Sequence, residues 1–293
     1  MTAPTGTGIS RWKAVIQAIT AFVTNPKSLS LNVGIQYFPL APDCGNADNC
    51  DPFSCNAGDY AVPEIGIAGL DVNAGKISAS LAAHKPLVGT PTYPALQGAL
   101  TYAKTWAAAH PTHTVVVVLA TDGIPDGCAI QDIPSIAALA TTATQGTPPV
   151  LTYVIGVGSS LKDLNAIAAG GGTKSAFLVD GGGDVVQQFG AALQAIQGKA
   201  LGCSYAIPMP ADGKTVDYNK VNVQMTLAGG VVHVLNYVAD ESKCDPQLGG
   251  WHFDDATAPT KILLCATTCA TVSADSAAKV DILLGCARSE KPQ

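Results

Sequence analysis

From Trp12 the apolar side chains recur at Trp12, Val15, Ile16, Ile19, Phe22 and Val23, the i, i+3, i+4, i+7 spacing of a helix that buries one face. Ser10 precedes the run as an N-cap and Asn25-Pro26 stops it. Leu31 to Phe38 then reads as a strand ended by Pro39, and Cys44 to Tyr60 as a polar, Cys-bearing insertion. Ile65 to Leu70 is expected to be a short edge strand, followed by helices over Asn73 to Ala83 and Thr92 to Ala109. Thr114 to Ala120 is a near-continuous Val/Leu run, the pattern of a parallel strand covered on both faces.

The alternation continues with a helix at Asp132 to Thr144, a strand at Val150 to Gly156, a helix at Leu161 to Ala169, a strand at Ala176 to Asp180 and a helix at Asp184 to Ile196. Strands separated by helices imply right-handed crossovers, hence an α/β fold with a doubly wound, mostly parallel sheet. Past Lys199 the pattern changes to β-prone runs at Val221 to Thr226, Val231 to Val238, Lys261 to Leu264 and Val280 to Leu284. Two domains are therefore expected, an α/β domain over 1–199 and a small β-rich domain over 200–293.

Composition narrows the function. Only 13% of the 293 residues are charged, and the formal net charge is −6. Nucleic acid and anionic bilayers need clustered Lys and Arg, so neither is an expected partner. No apolar stretch is long enough for a transmembrane segment. The chain carries nine Cys, of which Cys44, Cys50 and Cys55 share one loop and Cys203, Cys244, Cys265, Cys269 and Cys286 fall in the last third. That clustering favours disulfides and an extracellular or cell-surface protein, although the first residues hold no signal-peptide apolar region.

The candidate chemistry lies at two strand-to-helix junctions. Thr121-Asp122-Gly123 follows the strongest strand, and Gly89-Thr90-Pro91-Thr92 opens a helix. In a doubly wound sheet, ligands bind at the carboxyl ends of strands, which is where Asp122 falls. A carboxylate and hydroxyls are the hard oxygens that Mg²⁺ takes. The order of elements and these two loops resemble the von Willebrand factor type A (VWA) domain and two of the three loops of its metal-ion-dependent adhesion site. By that resemblance Asp122 matches the last-loop Asp and Thr90 the middle-loop Thr, with Thr92 a second candidate two residues on.

The family's first loop, Asp-x-Ser-Gly-Ser, has no counterpart, because the chain begins Met1-Thr2-Ala3-Pro4 before its first helix. The expectation is a gene that starts upstream, encoding a signal sequence and an apolar strand ending in that loop. Without it the sheet would have a slot between the strands Leu31 to Phe38 and Thr114 to Ala120, and the chain would aggregate through exposed edges. The resemblance implies non-enzymatic adhesion to a protein or matrix ligand through a carboxylate. An intact family member completes the interface with Mg²⁺, Mn²⁺ or Ca²⁺, for which this chain has about half the ligands.

Competing readings are open. Gly156-Val157-Gly158-Ser159-Ser160 follows a strand and precedes a helix, so a Rossmann-like enzyme or nucleotide binder could use this loop or the crevice near Asp122. It lacks the third Gly of that fingerprint. No Gly-x-Ser-x-Gly elbow, P-loop or His-Glu-x-x-His occurs. Cys44, Cys50 and Cys55 fit a stapled loop better than a Zn²⁺ knuckle, and Cys265 and Cys269 bond to each other or each to a distant partner. Asp43, Asp48 and Asp51 are a weak Ca²⁺ set, and the five His read as surface residues.

Overall fold

A computed structural model of the chain describes residues 1–29, 31–41, 52–110, 113–158, 161–200, 203–208, 215–275, 278–285 and 288–289. They form two compact units, Met1–Leu193 and Gln194–Gln293.

The first unit is mixed α/β. In chain order it holds α1 (Arg11–Val23), β1 (Asn32–Ile35), α2 (Ala57–Tyr60), β2 (Ile65–Gly69), α3 (Leu70–Ala83), α4 (Thr92–Ala109), β3 (Val116–Thr121), α5 (Ile133–Thr144), β4 (Leu151–Val157), α6 (Leu164–Gly170), β5 (Phe177–Val179) and the start of α7 (Val185–Ala200). Caps explain several of the starts. The Ser10 hydroxyl accepts the Lys13 N–H ahead of α1, and the Asp132 carboxylate accepts the Ser135 N–H ahead of α5.

The strands β3, β4 and β5 form a parallel sheet in that order, registered from Val116↔Leu151 to Thr121↔Gly156 and from Ile155↔Phe177 to Val157↔Val179. Its core joins Leu96 and Leu100 of α4, Ile136 and Ala140 of α5, Val154 of β4 and Ile167 of α6. Each large side chain removed from water there contributes about 1.5–3 kcal/mol. A second cluster packs Val23 of α1 against Leu70, Ile77 and Leu81 of α3, with Tyr37.

Two expectations change. The expected single sheet is divided among the described residues: β1 pairs antiparallel with β2, Asn32↔Gly69 and Val33↔Ala68, and neither joins the parallel sheet. The strand expected to be covered on both faces is only partly so, and it is also an edge of its sheet among the described residues. β3 leaves Val118 37% exposed, whereas β4, flanked by two strands, is buried from Thr152 to Val157. Composition cannot separate these cases, because an apolar run says that a strand packs well, not how many neighbours it has.

The second unit holds β6 (Ser204–Ala206), β7 (Val221–Thr226), β8 (Val232–Leu235), β9 (Trp251–Phe253), β10 (Lys261–Leu264), α8 (Ala266–Ala274) and β11 (Lys279–Leu284). They make two antiparallel three-stranded sheets, β6-β10-β9 and β11-β7-β8. Trp251, fully buried, packs with Val221, Val223, Leu235 and Ile262. Cys203 is bonded to Cys269 and Cys244 to Cys265, so Cys265 and Cys269, one helical turn apart, each take a distant partner. His252 departs from the surface expectation: it is 7% exposed, with Nδ1 2.8 Å from the Phe253 carbonyl. No helix among the described residues is long and apolar enough to cross a membrane.

A candidate site at the strand ends

The carboxyl ends of β3, β4 and β5 lead into the segments at Asp122, Gly158 and Gly181, and the start of α1 lies against all three. β3 ends in Thr121, whose hydroxyl accepts the Gly123 N–H and donates to the Gly123 carbonyl, each at 3.2 Å. That local turn leaves the Asp122 side chain partly buried, 18% exposed.

Thr90 comes to the same place from the start of α4. A Cβ on Gly123 would sit 2.9 Å from the Thr90 hydroxyl oxygen, so the two loops touch only because residue 123 has no side chain. The Thr90 carbonyl accepts the Asp126 N–H at 2.9 Å, which pins the loops together by backbone. Thr92 is placed differently. It is 1% exposed, and its hydroxyl turns inward to donate to the Thr90 carbonyl at 3.3 Å.

The insertion before α2 holds this pair of loops from the outside. Phe53, 6% exposed, fills the space beside Gly89 (φ +108°) and Gly127 (φ +93°), where a Cβ on either glycine would overlap the ring. Cys55 is bonded to Cys128. Cys44, Cys50, Asp43, Asp48 and Asp51 lie outside the described residues, as does Cys286.

Two basic groups face Asp122. Its Oδ2 lies 2.5 Å from the amino nitrogen of Met1 and 3.7 Å from Arg11 Nη1. The segment that delivers them folds back on α1, with Arg11 N–H donating to the Ala3 carbonyl at 2.9 Å and Trp12 N–H to the Met1 carbonyl at 2.8 Å. A Cβ on Gly6 would overlap the Gly182 carbonyl, so the same segment also rests on the loop after β5. Arg11 escapes sequence reasoning because it reads as an ordinary polar residue on the first turn of an amphipathic helix.

Two residues on from Asp122, Ile124 lines an open groove with Pro125, Asp132, Ile133, Leu161 and Asp163. Ile124 is 62% exposed. Hydrogen bonds from the Ser135 backbone and side chain hold the Asp132 carboxyl below the usual range, so it is ionised at neutral pH.

Gly156 and Gly158 are packed within the fold. A Cβ on Gly156 would meet carbon atoms of Leu164, Leu178 and Leu161 at 3.0–3.4 Å, and the Gly158 N–H donates to the Val179 carbonyl at 2.9 Å. Ser159 and Ser160 lie outside the described residues. Among the described residues no three His, Cys, Asp or Glu side chains converge as a metal-binding group. No family model matches the chain, and no curated protein matches it.

Proposed function

We propose that the chain is a non-enzymatic protein-binding module of the VWA type, working outside the cell or at its surface, with a protein or matrix ligand docking at the crevice around Asp122. The observation that carries this reading is the contact of the Thr90 loop with Gly123 at the carboxyl end of β3, beside the start of α1. Those are the two loops that the VWA resemblance matches. The doubly wound arrangement belongs to the same proposal. Three disulfides among the described residues support an oxidising compartment.

Intact members of that family hold a divalent cation at this point. Mg²⁺ requires near-octahedral oxygen coordination at about 2.0–2.1 Å. Here the Arg11 guanidinium lies 3.7 Å from Asp122 Oδ2, and the Thr92 hydroxyl faces inward. These residues do not fit a resident Mg²⁺, Mn²⁺ or Ca²⁺, so the ligand contact proposed here is made by the protein's own groups.

The test is solid-phase binding of the purified chain to extracellular matrix proteins and intact cells, with Asp122→Ala as the comparison. Saturable adhesion by the native chain, lost in Asp122→Ala at unchanged circular dichroism, is expected. Adhesion indifferent to Asp122→Ala, or calorimetric binding of NAD, would overturn the reading in favour of a different surface or a Rossmann-like nucleotide site.

A further inference from the structure

Arg11 is the first residue of α1, and its backbone is held by the hydrogen bond to the Ala3 carbonyl. From there the guanidinium reaches across the ends of all three parallel strands. Nη1 lies 3.7 Å from Asp122 Oδ2, beyond β3. A Cβ on Gly158, beyond β4, would lie 3.7 Å from Nη1 and 3.9 Å from Nη2. On Gly181, beyond β5, it would lie 2.7 Å from Nη2 and 3.0 Å from Nε. The bare backbone at Gly181 is thus what gives the guanidinium its room.

This cation is under-used. At 3.7 Å the contact with Asp122 is charge attraction and exceeds hydrogen-bond length. Nε is buried and has no hydrogen-bond partner among the described residues. The side chain as a whole is 24% exposed. A buried donor on a charged group normally finds an acceptor, and the planar guanidinium fork matches a carboxylate in bidentate geometry.

We propose that Arg11 is the ligand-reading cation of this site: it receives a carboxylate from an acidic side chain of the partner, in the role that a divalent ion fills in the family the chain resembles. Asp122 positions the guanidinium by attraction. It also selects the ligand's charge, since a phosphate dianion beside the Asp122 carboxylate meets about twice the repulsion that a carboxylate meets. The inference rests on the adhesion reading for its partner, but the carboxylate site stands on Arg11 itself.

The probe is sodium acetate, titrated in EDTA at constant ionic strength while the Arg11 Nε–H resonance is followed by NMR. A saturable shift is expected, at least about tenfold weaker in Arg11→Gln and intermediate in Arg11→Lys, which keeps the charge and loses the fork. Gly181→Ala, which crowds Nη2 without touching the charge, should weaken acetate as well, and unchanged thermal melting separates these effects from unfolding. No shift, equal affinity in Arg11→Gln, tighter binding of inorganic phosphate than of acetate, or binding that appears only on adding Mg²⁺ would each overturn the proposal. Acetate bound at Arg11 with no adhesion to any surface would overturn the adhesion reading alone. Adhesion lost in Asp122→Ala but indifferent to Arg11→Gln would overturn this one alone.

Discussion

Cys55 is disulfide-bonded to Cys128 across 73 residues of sequence, with Cα atoms 5.8 Å apart. The bond joins the insertion before α2 to the loop that leaves Asp122, so two segments with no regular hydrogen-bonded pairing behave as one wall of the site. Closing a loop of that length removes unfolded-state entropy equivalent to about 4 kcal/mol in the chain-entropy model. Replacing both residues by Ser should lower the urea midpoint of the first unit accordingly. A midpoint unchanged on replacement would mean that Phe53 packing alone holds the insertion in place.

Phe53 makes a separate, quantitative prediction. Gly127→Ala forces a side chain into a left-handed conformation at φ +93° and into the Phe53 ring. Gly8→Ala faces the backbone cost alone, since φ is +80° and nothing lies within 4 Å of the added carbon. The expected losses of stability are about 1–2 kcal/mol for Gly8→Ala and at least 1 kcal/mol more for Gly127→Ala. Making Gly127→Ala in a Phe53→Ala background should remove most of the difference. Equal costs at the two glycines in the native background would show that the ring does not press on residue 127.

How much of this was legible beforehand follows from what periodicity reports. The helix Thr92–Ala109 and the strand Val221–Thr226 can be read to their ends because long or well-bounded runs carry their own period. The convergence of Thr90 and Asp122 was legible only as a resemblance, since two loops 32 residues apart meet through the sheet and not through any local pattern. Arg11 was not legible at all: its role comes from the loops at Gly158 and Gly181, which the chain reaches much later. Cys128 gave no signal either, being a lone cysteine far from the clustered ones. The short strands Ser204–Ala206 and Trp251–Phe253 are three residues each, too few to show alternation, and exist because β10 lies between them.

Asp254 should make the second unit sensitive to acid. Partial burial pushes its pKa up, but the Thr260 hydroxyl at 2.5 Å and the Lys261 and Thr260 N–H groups at 2.9 Å outweigh it and hold the value at about 2, against 3.8 ordinarily. A pKa depressed in the folded state means that the ionised carboxylate favours folding. Its contribution is complete above pH 4 and is lost as pH falls from 4 through 2. The carboxylate is mostly exposed, so solvent screening leaves no more than about 1 kcal/mol. Urea unfolding of the native chain and Asp254→Asn should therefore differ by that amount at pH 6 and converge near pH 2. A difference that is constant across this range would assign the effect to lost hydrogen bonds and not to charge.

Arg11 and Asp122 also predict a measurable coupling within the fold, independent of any ligand. Their side chains are 24% and 18% exposed and 3.7 Å apart, closer to the partly buried than to the surface class of ion pair. A double-mutant cycle with Arg11→Gln and Asp122→Asn should give about 1 kcal/mol at low salt, falling as ionic strength rises because part of the pair faces water.

The last prediction concerns β3. It is the edge of its sheet among the described residues, and Val118 on it is 37% exposed, so one side of the strand offers unpaired N–H and C=O groups next to an apolar side chain. Edge strands of this kind template pairing with another chain unless a charge or a proline blocks them, and β3, Val-Val-Val-Leu-Ala-Thr, contains neither. The native chain should show concentration-dependent association in light scattering. Val118→Lys should reduce it by placing a charge on the open strand, while shifting stability by no more than about 0.5 kcal/mol, as for other solvent-facing substitutions. The control is Val232→Lys on β8, a strand that is equally an edge, in the second unit, with Val232 52% exposed. If Val232→Lys suppresses association and Val118→Lys does not, the associating edge belongs to the β-rich unit. If neither does, both edges are covered in solution and association through β3 is ruled out.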